Sequence, residues 1–364
     1  MNKKIIYCTV SNDISHDQRM HRICSTLAQN GYEVCLIGRQ RTQSKALETK
    51  NYDQRRLKCW FEKGPVFYLE LNIRLIFYLL FEKIDIIYSV DTDTLLAGTI
   101  IKILKRKKLI FDSHEYFTEV PELQDRYWVK RIWSWIEAMC IPKANAAITV
   151  NESLSKILSQ KYNVPFHSIY NVPLKSSTLT TVAPKTPYII YQGALNKGRG
   201  LESLITAMDS IHDIELVIAG EGDLSDYLRS LAKEGKSSDR IVFKGWQSPS
   251  QLKTLTQYAA LGANLLEKTS LNYYYSLANK FFDYMHVGVP SLNMDFPEYN
   301  QILSKYDVGY TIRSIEPVIL ASEINKILED TLAYEKKRRH CQLAKDVYNW
   351  ENESQKLLHI IRAL

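Results

Sequence analysis

Short apolar runs alternate with segments of helical spacing along nearly the whole chain, and that alternation permits few folds. In the first half the apolar runs fall at 4–10, 33–38, 84–89, 108–112 and 146–150. In the second half they fall at 188–191, 215–219, 241–244, 262–266 and 290–294. Most are continuous rather than alternating, as strands covered on both faces require. Helical spacing occupies 18–30, 72–81, 95–104 and 128–140, then 200–208, 224–234, 250–259 and 277–285, and the chain reads as helical from 318. Two further short strands are expected at 59–61 and 66–69. Repeated βα units of this kind imply parallel sheets with helices on both faces.

A chain of 364 residues exceeds one ordinary core. The segment 171–187, NVPLKSSTLTTVAPKTP, carries three prolines and many Ser/Thr and reads as a linker. The expected class is therefore α/β, with two Rossmann-like domains facing each other across a cleft, at 1–172 and 185–346. Ligands of such sheets bind at the carboxyl ends of the strands, so the loops after strands carry the chemistry.

The formal charge of +7 suits an anionic ligand or an acidic membrane surface. No nucleic-acid-binding motif or long basic run is present, which argues against a nucleic-acid partner. Six scattered cysteines favour a reducing compartment over a disulfide framework or a zinc site. The first apolar run is too short for a secretory signal, and no segment approaches the length of a membrane span. The expected location is cytoplasmic, with the inner face of the membrane as a further option.

The segment 267–290, EKTSLNYYYSLANKFFDYMHVGVP, points most directly to chemistry. It leads from a strand end through an aromatic loop into a helix that opens with Ser276, Asn279 and Lys280. A helix N-terminus offers unpaired N–H groups and partial positive charge, which suit a diphosphate. Asp283 shares a face with Asn279 and Lys280, so the same helix can place a carboxylate beside a sugar or ribose hydroxyl.

Four motifs in order resemble the retaining glycosyltransferases of the GT-B fold, family 4 (glycosyl transferases group 1). They are Tyr191-Gln192-Gly193 with Lys197-Gly198-Arg199-Gly200, Ile218-Ala219-Gly220-Glu221-Gly222, Phe243-Lys244-Gly245-Trp246, and 276–290. The resemblance implies a C-terminal domain that binds a nucleotide-sugar, an N-terminal domain that binds the acceptor, and a terminal helix within 347–364 that returns to the first domain. It implies that Lys197, Arg199 and Lys280 hold the diphosphate, with Gly193, Gly220, Gly222, Trp246, Ser276 and Asn279 around the nucleotide. Asp283 falls on a position that holds ribose. The chain departs from the family at Ala194, where an arginine is usual, and at Tyr275, where a sugar-side carboxylate is usual; Glu267 is a substitute for the latter.

In the first half, Asp112-Ser113-His114-Glu115 follows an apolar strand. His114 matches a histidine of the family at the reacting centre, although a lone histidine is often structural. Glu115 is a candidate for the acceptor, as are Asp17, Arg19 and Arg22 after the first strand, with helix capping the plainer role for Asp17. Glu119 and Glu122 are weaker candidates. Asp91-Thr92-Asp93 resembles the metal-binding DxD of a different glycosyltransferase fold, but its place at a strand-to-helix junction reads better as capping. No catalytic metal and no cofactor are expected.

Two stretches rich in aromatic and basic residues, one around Trp60–Leu80 and one at 128–135, suit either a core or a membrane surface. The expected activity is that of a hexosyltransferase in polysaccharide or glycoconjugate synthesis. It would move a sugar from a nucleotide-diphosphate donor to a saccharide or lipid-linked acceptor. A nucleotide-sugar epimerase of the same fold and a non-catalytic GT-B scaffold are the alternatives.

Overall fold

The computed structural model describes residues 3–175 and 186–364, so the central part of the expected linker lies outside the described residues. The chain divides into two compact units. One comprises Met1–Asn171 with Glu353–Leu364, and the other Val172–Asn352.

The first unit is built on seven strands: β1 (Ile5–Thr9), β2 (Glu33–Gln40), β3 (Asp53–Lys58), β4 (Ile86–Val90), β5 (Lys108–Ser113), β6 (Ala146–Thr149) and β7 (Phe166–Ser168). They form one sheet in the order β3-β2-β1-β4-β5-β6-β7, and every paired neighbour is parallel. Its helices are α1 (Gln18–Gln29), α2 (Gly64–Phe81), α3 (Asp91–Lys105), α4 (Tyr127–Cys140) and α5 (Glu152–Tyr162). The strands in the middle are apolar and buried, with Ile6, Cys8, Ile87 and Ile110 fully shielded. The order reverses direction between β1 and β4, which opens a crevice at their carboxyl ends.

The second unit repeats the plan with β8 (Tyr188–Gln192), β9 (Glu215–Ala219), β10 (Ile241–Gly245), β11 (Leu261–Asn264), β12 (Ser291–Met294) and β13 (Gly309–Ile312). Their order is β10-β9-β8-β11-β12-β13, again parallel, with the reversal between β8 and β11. The helices are α6 (Leu201–Ala207), α7 (Ser225–Glu234), α8 (Pro249–Thr256), α9 (Leu271–Tyr274), α10 (Asn279–Val287), α11 (Pro297–Tyr306), α12 (Pro317–Glu329), α13 (Thr331–Ala344) and α14 (Trp350–Arg362). From Glu353 onward α14 and the two residues after it belong to the first unit, where Glu353 accepts from Tyr170 N at 2.9 Å.

One core contact sets the position of α10. Tyr284 is fully buried and packs with Tyr188, Ile190, Val217 and Val289. Its hydroxyl donates to Ile190 O and to Ala263 O, both at 3.2 Å. The ring lies where a Cβ on Gly262 would stand, 2.4 Å away. The helix is thereby pinned over β8 and β11, at the strand-order reversal.

The structure corrects the reading of 59–81. The helix expected at 72–81 is the second half of α2, an 18-residue helix that begins at Gly64 and takes up the strand expected at 66–69, while the strand expected at 59–61 gives way to β3 at Asp53–Lys58. Strand β3, DQRRLK, sits at the sheet edge, where one side of the ladder is open and no apolar run is needed. Helix α2 starts at Gly64 with Pro65 in its first turn, and it is apolar around most of its circumference, so no helical period was legible. The expectation that no segment is long enough to cross a membrane is also corrected: α2 passes by length and composition, with 28% of it buried.

Candidate functional site

In the second unit, three strand-end loops close against one another. Gly193 N donates to Ala219 O at 3.0 Å, and Gly220 N donates to Gly245 O at 2.8 Å. Gly220 has a φ of +148°, and a Cβ there would lie 1.9 Å from Gly193 O, so only glycine permits this approach. A Cβ on Gly222 would lie 2.4 Å from Asn196 Oδ1. The missing side chains of Gly220 and Gly222, expected to admit a nucleotide, make room for the adjoining loop. Gly193 differs, being exposed, with the Lys280 side chain 3.6 Å from its would-be Cβ.

Lys280 stands on the second residue of α10. Its Nζ lies 3.5 Å from the centroid of the Tyr191 ring. Burial, together with the nearby Arg199 charge, pushes the ammonium well below its usual range, and Asp283 opposes that shift only in part. Arg199 reaches the same place from the loop before α6 and stacks over Tyr273, with Cζ 5.0 Å from the ring centroid. Among the described residues neither cation forms an ion pair. The Nε of Arg199 and Oε2 of Glu202 are buried with no hydrogen-bond partner among them. Unanswered buried polar groups are rare in folded proteins.

Asp283 is half-buried, and its Oδ2 accepts from Gln192 Nε2 at 2.8 Å. Gln192, at the end of β8, accepts in turn from Thr256 Oγ1 at 2.6 Å. This chain of bonds holds the carboxylate at the strand ends. Among the described residues no side chain caps α10: its N-cap is Ala278, whose N–H donates to Tyr299 Oη at 3.1 Å. The expectation that Ser276 opens this helix is corrected, because Ser276 precedes the N-cap and its hydroxyl donates to Tyr273 O at 2.9 Å. Asn279 is exposed in the first turn. Lys197 is exposed on the 193–200 loop, and Trp246 is exposed after β10 rather than packed in the core. Glu267 is tied by its backbone N–H to Gly198 O at 2.9 Å, which keeps it beside the Arg199 loop. Tyr275 stacks edge-on against Tyr274.

In the first unit, the strand ends carry a network of opposite character. Asp112, fully buried at the end of β5, accepts from Arg19 at 3.0 and 3.2 Å and from Tyr88 Oη at 2.7 Å. It also meets His114 Nε2 at 3.1 Å. Burial alone would raise the carboxyl of Asp112, but Arg19 and His114 overcome it and hold the group well below the usual carboxylate range. For His114 burial opposes the charged ring, yet Asp112 and Asp91 outweigh it and raise the imidazole above its ordinary value. The His114 side chain is 20% exposed and its backbone N–H donates to Asp91 Oδ1 at 2.8 Å. Burial also raises Asp93, to about 7, against the opposing hydrogen bond from Ser11 Oγ.

Three expectations change here. Arg19, expected at the acceptor, is 3% exposed and spends its guanidinium on Asp112 and on Ile169 O at 2.8 Å, so it is a core ion pair. Asp17 caps α1, its Oδ1 accepting from Met20 N at 3.0 Å. Asp91 and Asp93 do not cap α3, whose N-cap is Val90 with no side-chain bond. Arg22 is half-buried and donates to Asn171 Oδ1. Glu115 is half-buried next to His114, and its charge is among those that raise Asp91 and Asp93.

The reading of single motifs gave no role to Tyr191, Gln192 and Asp112, which lie within the quoted motifs, and did not single out Thr256 and Tyr273 in the second unit or Tyr88 in the first. The signal for Gln192 and Asp112 is a polar residue ending an otherwise apolar buried strand. No comparable signal marks Tyr273 or Thr256, whose partners lie far away in sequence.

Residues 180–345 match the family model of glycosyl transferases group 1, and residues 17–173 match that of glycosyltransferase family 4. Solved structures share the fold over nearly the full length. Sucrose-phosphate synthase from Thermosynechococcus elongatus superposes with a TM-score of 0.80 at 15% identity, covering 99% of each chain. HepE from Anabaena, solved in complex with UDP, gives 0.76 at 14% identity over 99% of this chain and all of its own. The same protein in complex with UDP-glucose gives 0.77 over the same shares, again at 14% identity. The chain thus has the GT-B fold, and its two halves match two glycosyltransferase family models. It is also similar to an uncharacterized glycosyltransferase of Methanocaldococcus jannaschii, 28% identical over 200 residues, which are 49% of this chain and half the length of that relative.

Proposed function

We propose that the chain transfers a hexosyl group from a nucleotide-diphosphate sugar to a saccharide or lipid-linked acceptor, with retention of configuration and without a metal. The observation that carries this reading is the pair Arg199 and Lys280, brought together at the carboxyl ends of the second sheet with aromatic rings beneath them and no ion pair among the described residues. A diphosphate supplies the missing negative charge. As the bond from the anomeric carbon to the phosphate breaks, charge grows on the leaving oxygen, and cations fixed in advance help most at that point. The acceptor O–H bond breaks, a bond from the acceptor oxygen to the anomeric carbon forms on the same face, and a phosphate oxygen of the leaving group takes the proton. No strong protein base is required.

Asp283, steadied by Gln192, is assigned to the ribose hydroxyls. Arg199, Lys280 and the open start of α10 are assigned to the phosphates, with Lys197 at the rim. Glu267 is assigned to the donor sugar in place of the carboxylate that Tyr275 cannot supply. His114, oriented by Asp112, is assigned to the reacting centre, with Glu115 on the acceptor side. The UDP and UDP-glucose complexes of HepE support a nucleotide-sugar as donor.

A thermal-shift panel of uridine, guanosine and adenosine diphosphate sugars identifies the donor. With that donor, Arg199→Ala should lower turnover by on the order of 10²–10³-fold, as loss of one charge-stabilising group does elsewhere. Undiminished turnover in this variant would remove the phosphate assignment. NMR of donor incubated without acceptor separates transfer from epimerisation.

A further inference from the structure

Helix α2 presents a row of apolar side chains to solvent. Val66, Leu69, Ile73, Phe77, Leu80 and Phe81 follow one another at helical spacing, and Phe81 is 84% exposed. At a rise of 1.5 Å per residue the row is about 22 Å long. The neighbouring helix α4 adds Trp128, Ile132 and Trp135 to the exposed apolar surface, and the two helices meet through Tyr68 and Trp133, whose rings pack edge-on. Soluble proteins rarely leave so many large apolar groups open in one region.

The helix cannot serve this surface by crossing a bilayer. Its other side is built into the fold through buried Phe67, Leu71, Leu75 and Leu79. The Asn72 side chain also ties it to α3, donating to Asp93 O at 2.7 Å and accepting from Ala97 N at 3.0 Å. What remains open is one flank, the geometry of a helix lying in an interface.

The chemistry around that flank indicates which interface. At the end of α2, Lys105 Nζ caps the helix, bonding to Leu80 O at 2.9 Å and to Leu79 O at 3.2 Å. Lys105 also lines a cavity of ≈ 740 Å³ together with Lys3, Lys4, Lys83, Lys107 and Lys108, against Glu82, Leu364 and Asp85, the last of which pairs with Lys107 at 3.2 Å. The apolar row therefore runs directly into a cluster of lysines. An exposed indole lies beside the row at Trp60, and α4 carries another at Trp128. Arg74 covers the Trp60 ring with its Cζ 4.8 Å from the centroid. Trp favours the headgroup level of a bilayer, and lysines near an anionic leaflet are attracted to it.

We propose that this face of the first unit, α2 and α4 with the lysine cluster at the end of α2, docks on the surface of a bilayer rich in anionic phospholipid. The docking does not depend on the transferase reading, since none of these residues belongs to the candidate site.

The test is co-sedimentation of the full chain with sucrose-loaded vesicles, either pure phosphatidylcholine or equimolar phosphatidylcholine and phosphatidylglycerol. The wild type should partition at least tenfold more strongly onto the anionic vesicles, and added salt should weaken it. The double variant F77S/F81S should lose at least tenfold of that binding with its melting temperature unchanged, because both rings are already exposed. K83E/K108E should abolish the preference for anionic vesicles. Absence of vesicle binding by the wild type, or equal binding to both compositions, would overturn the proposal. So would a wild-type dimer in sedimentation equilibrium that F77S/F81S converts to monomer without change in vesicle binding, since the face would then be a contact between copies of the chain.

Discussion

The two units share one strand order, and both gather charged residues at the carboxyl ends of their central strands. They treat those charges in opposite ways. In the first unit Arg19 is sunk in the core and answered by Asp112, which also holds Tyr88 and His114. In the second, Arg199 and Lys280 rest on the rings of Tyr273 and Tyr191 and make no ion pair among the described residues. A ring contributes roughly 0.5–2 kcal/mol to a cation, enough to orient it but not to neutralise it. The same scaffold thus produces a closed network of answered charges and an open one whose cations have no counter-charge among the described residues. Topology locates the crevice, and the pairing of charges indicates what each crevice is for.

The largest test of that contrast is stability. Asp112→Ala strands Arg19 in the core and should cost about 3–5 kcal/mol, read from urea midpoints. The matching truncation in the second unit, Arg199→Ala, should cost less than about 1 kcal/mol. Similar losses in both would mean that Arg199 is a structural cation, and the contrast would fail.

A smaller effect concerns donor affinity. Lys280 is held below its usual range in the free protein, and a bound diphosphate would raise it again. At a pH between the free and bound values, binding must then take up a proton, and affinity must fall as pH rises through the free value. Titration calorimetry in buffers of different ionisation enthalpy measures that uptake. Lys280→Met should lose it and weaken nucleoside diphosphate binding about tenfold, or ~1.4 kcal/mol. Uptake that persists in the variant would point to another group.

A third test separates Asp93 from Asp112, the carboxylate that Arg19 answers. Asp93 titrates at about 7, above its ordinary 3.8, so ionising it in the fold is unfavourable. The penalty begins as pH rises past 3.8 and is complete above about 7. Asp93→Asn should therefore stabilise the fold near pH 8 and leave it unchanged near pH 3, in melting experiments across pH. Asp112 has the reverse sign: its depressed value gives stability above the ordinary carboxylate range that disappears as pH falls through it. A pH-independent gain in Asp93→Asn would show that its carboxylate is not strained.

Much of this was legible in the chain. Both parallel sheets follow from continuous apolar runs, and the 193–200 loop and the start of α10 are marked by cations beside glycines or a helix end. What was not legible falls into two kinds. Local period failed where a segment was apolar on all sides, as in α2, or polar at a sheet edge, as in β3. Partnership failed wherever it joins distant positions: nothing in the order of residues tells that Arg19 pairs with Asp112, 93 residues away, or that Asp283 is held by Gln192, 91 away.

By itself the sequence determined the two βα sheets and the places where a phosphate-binding cation can stand, because hydrophobic period and helix-end chemistry are properties of neighbours along the chain. Only the tertiary structure decided which cations are spent on the core and which stay open. Neutralising a charge takes a counter-charge within a few ångströms in space, and folding alone brings such groups together.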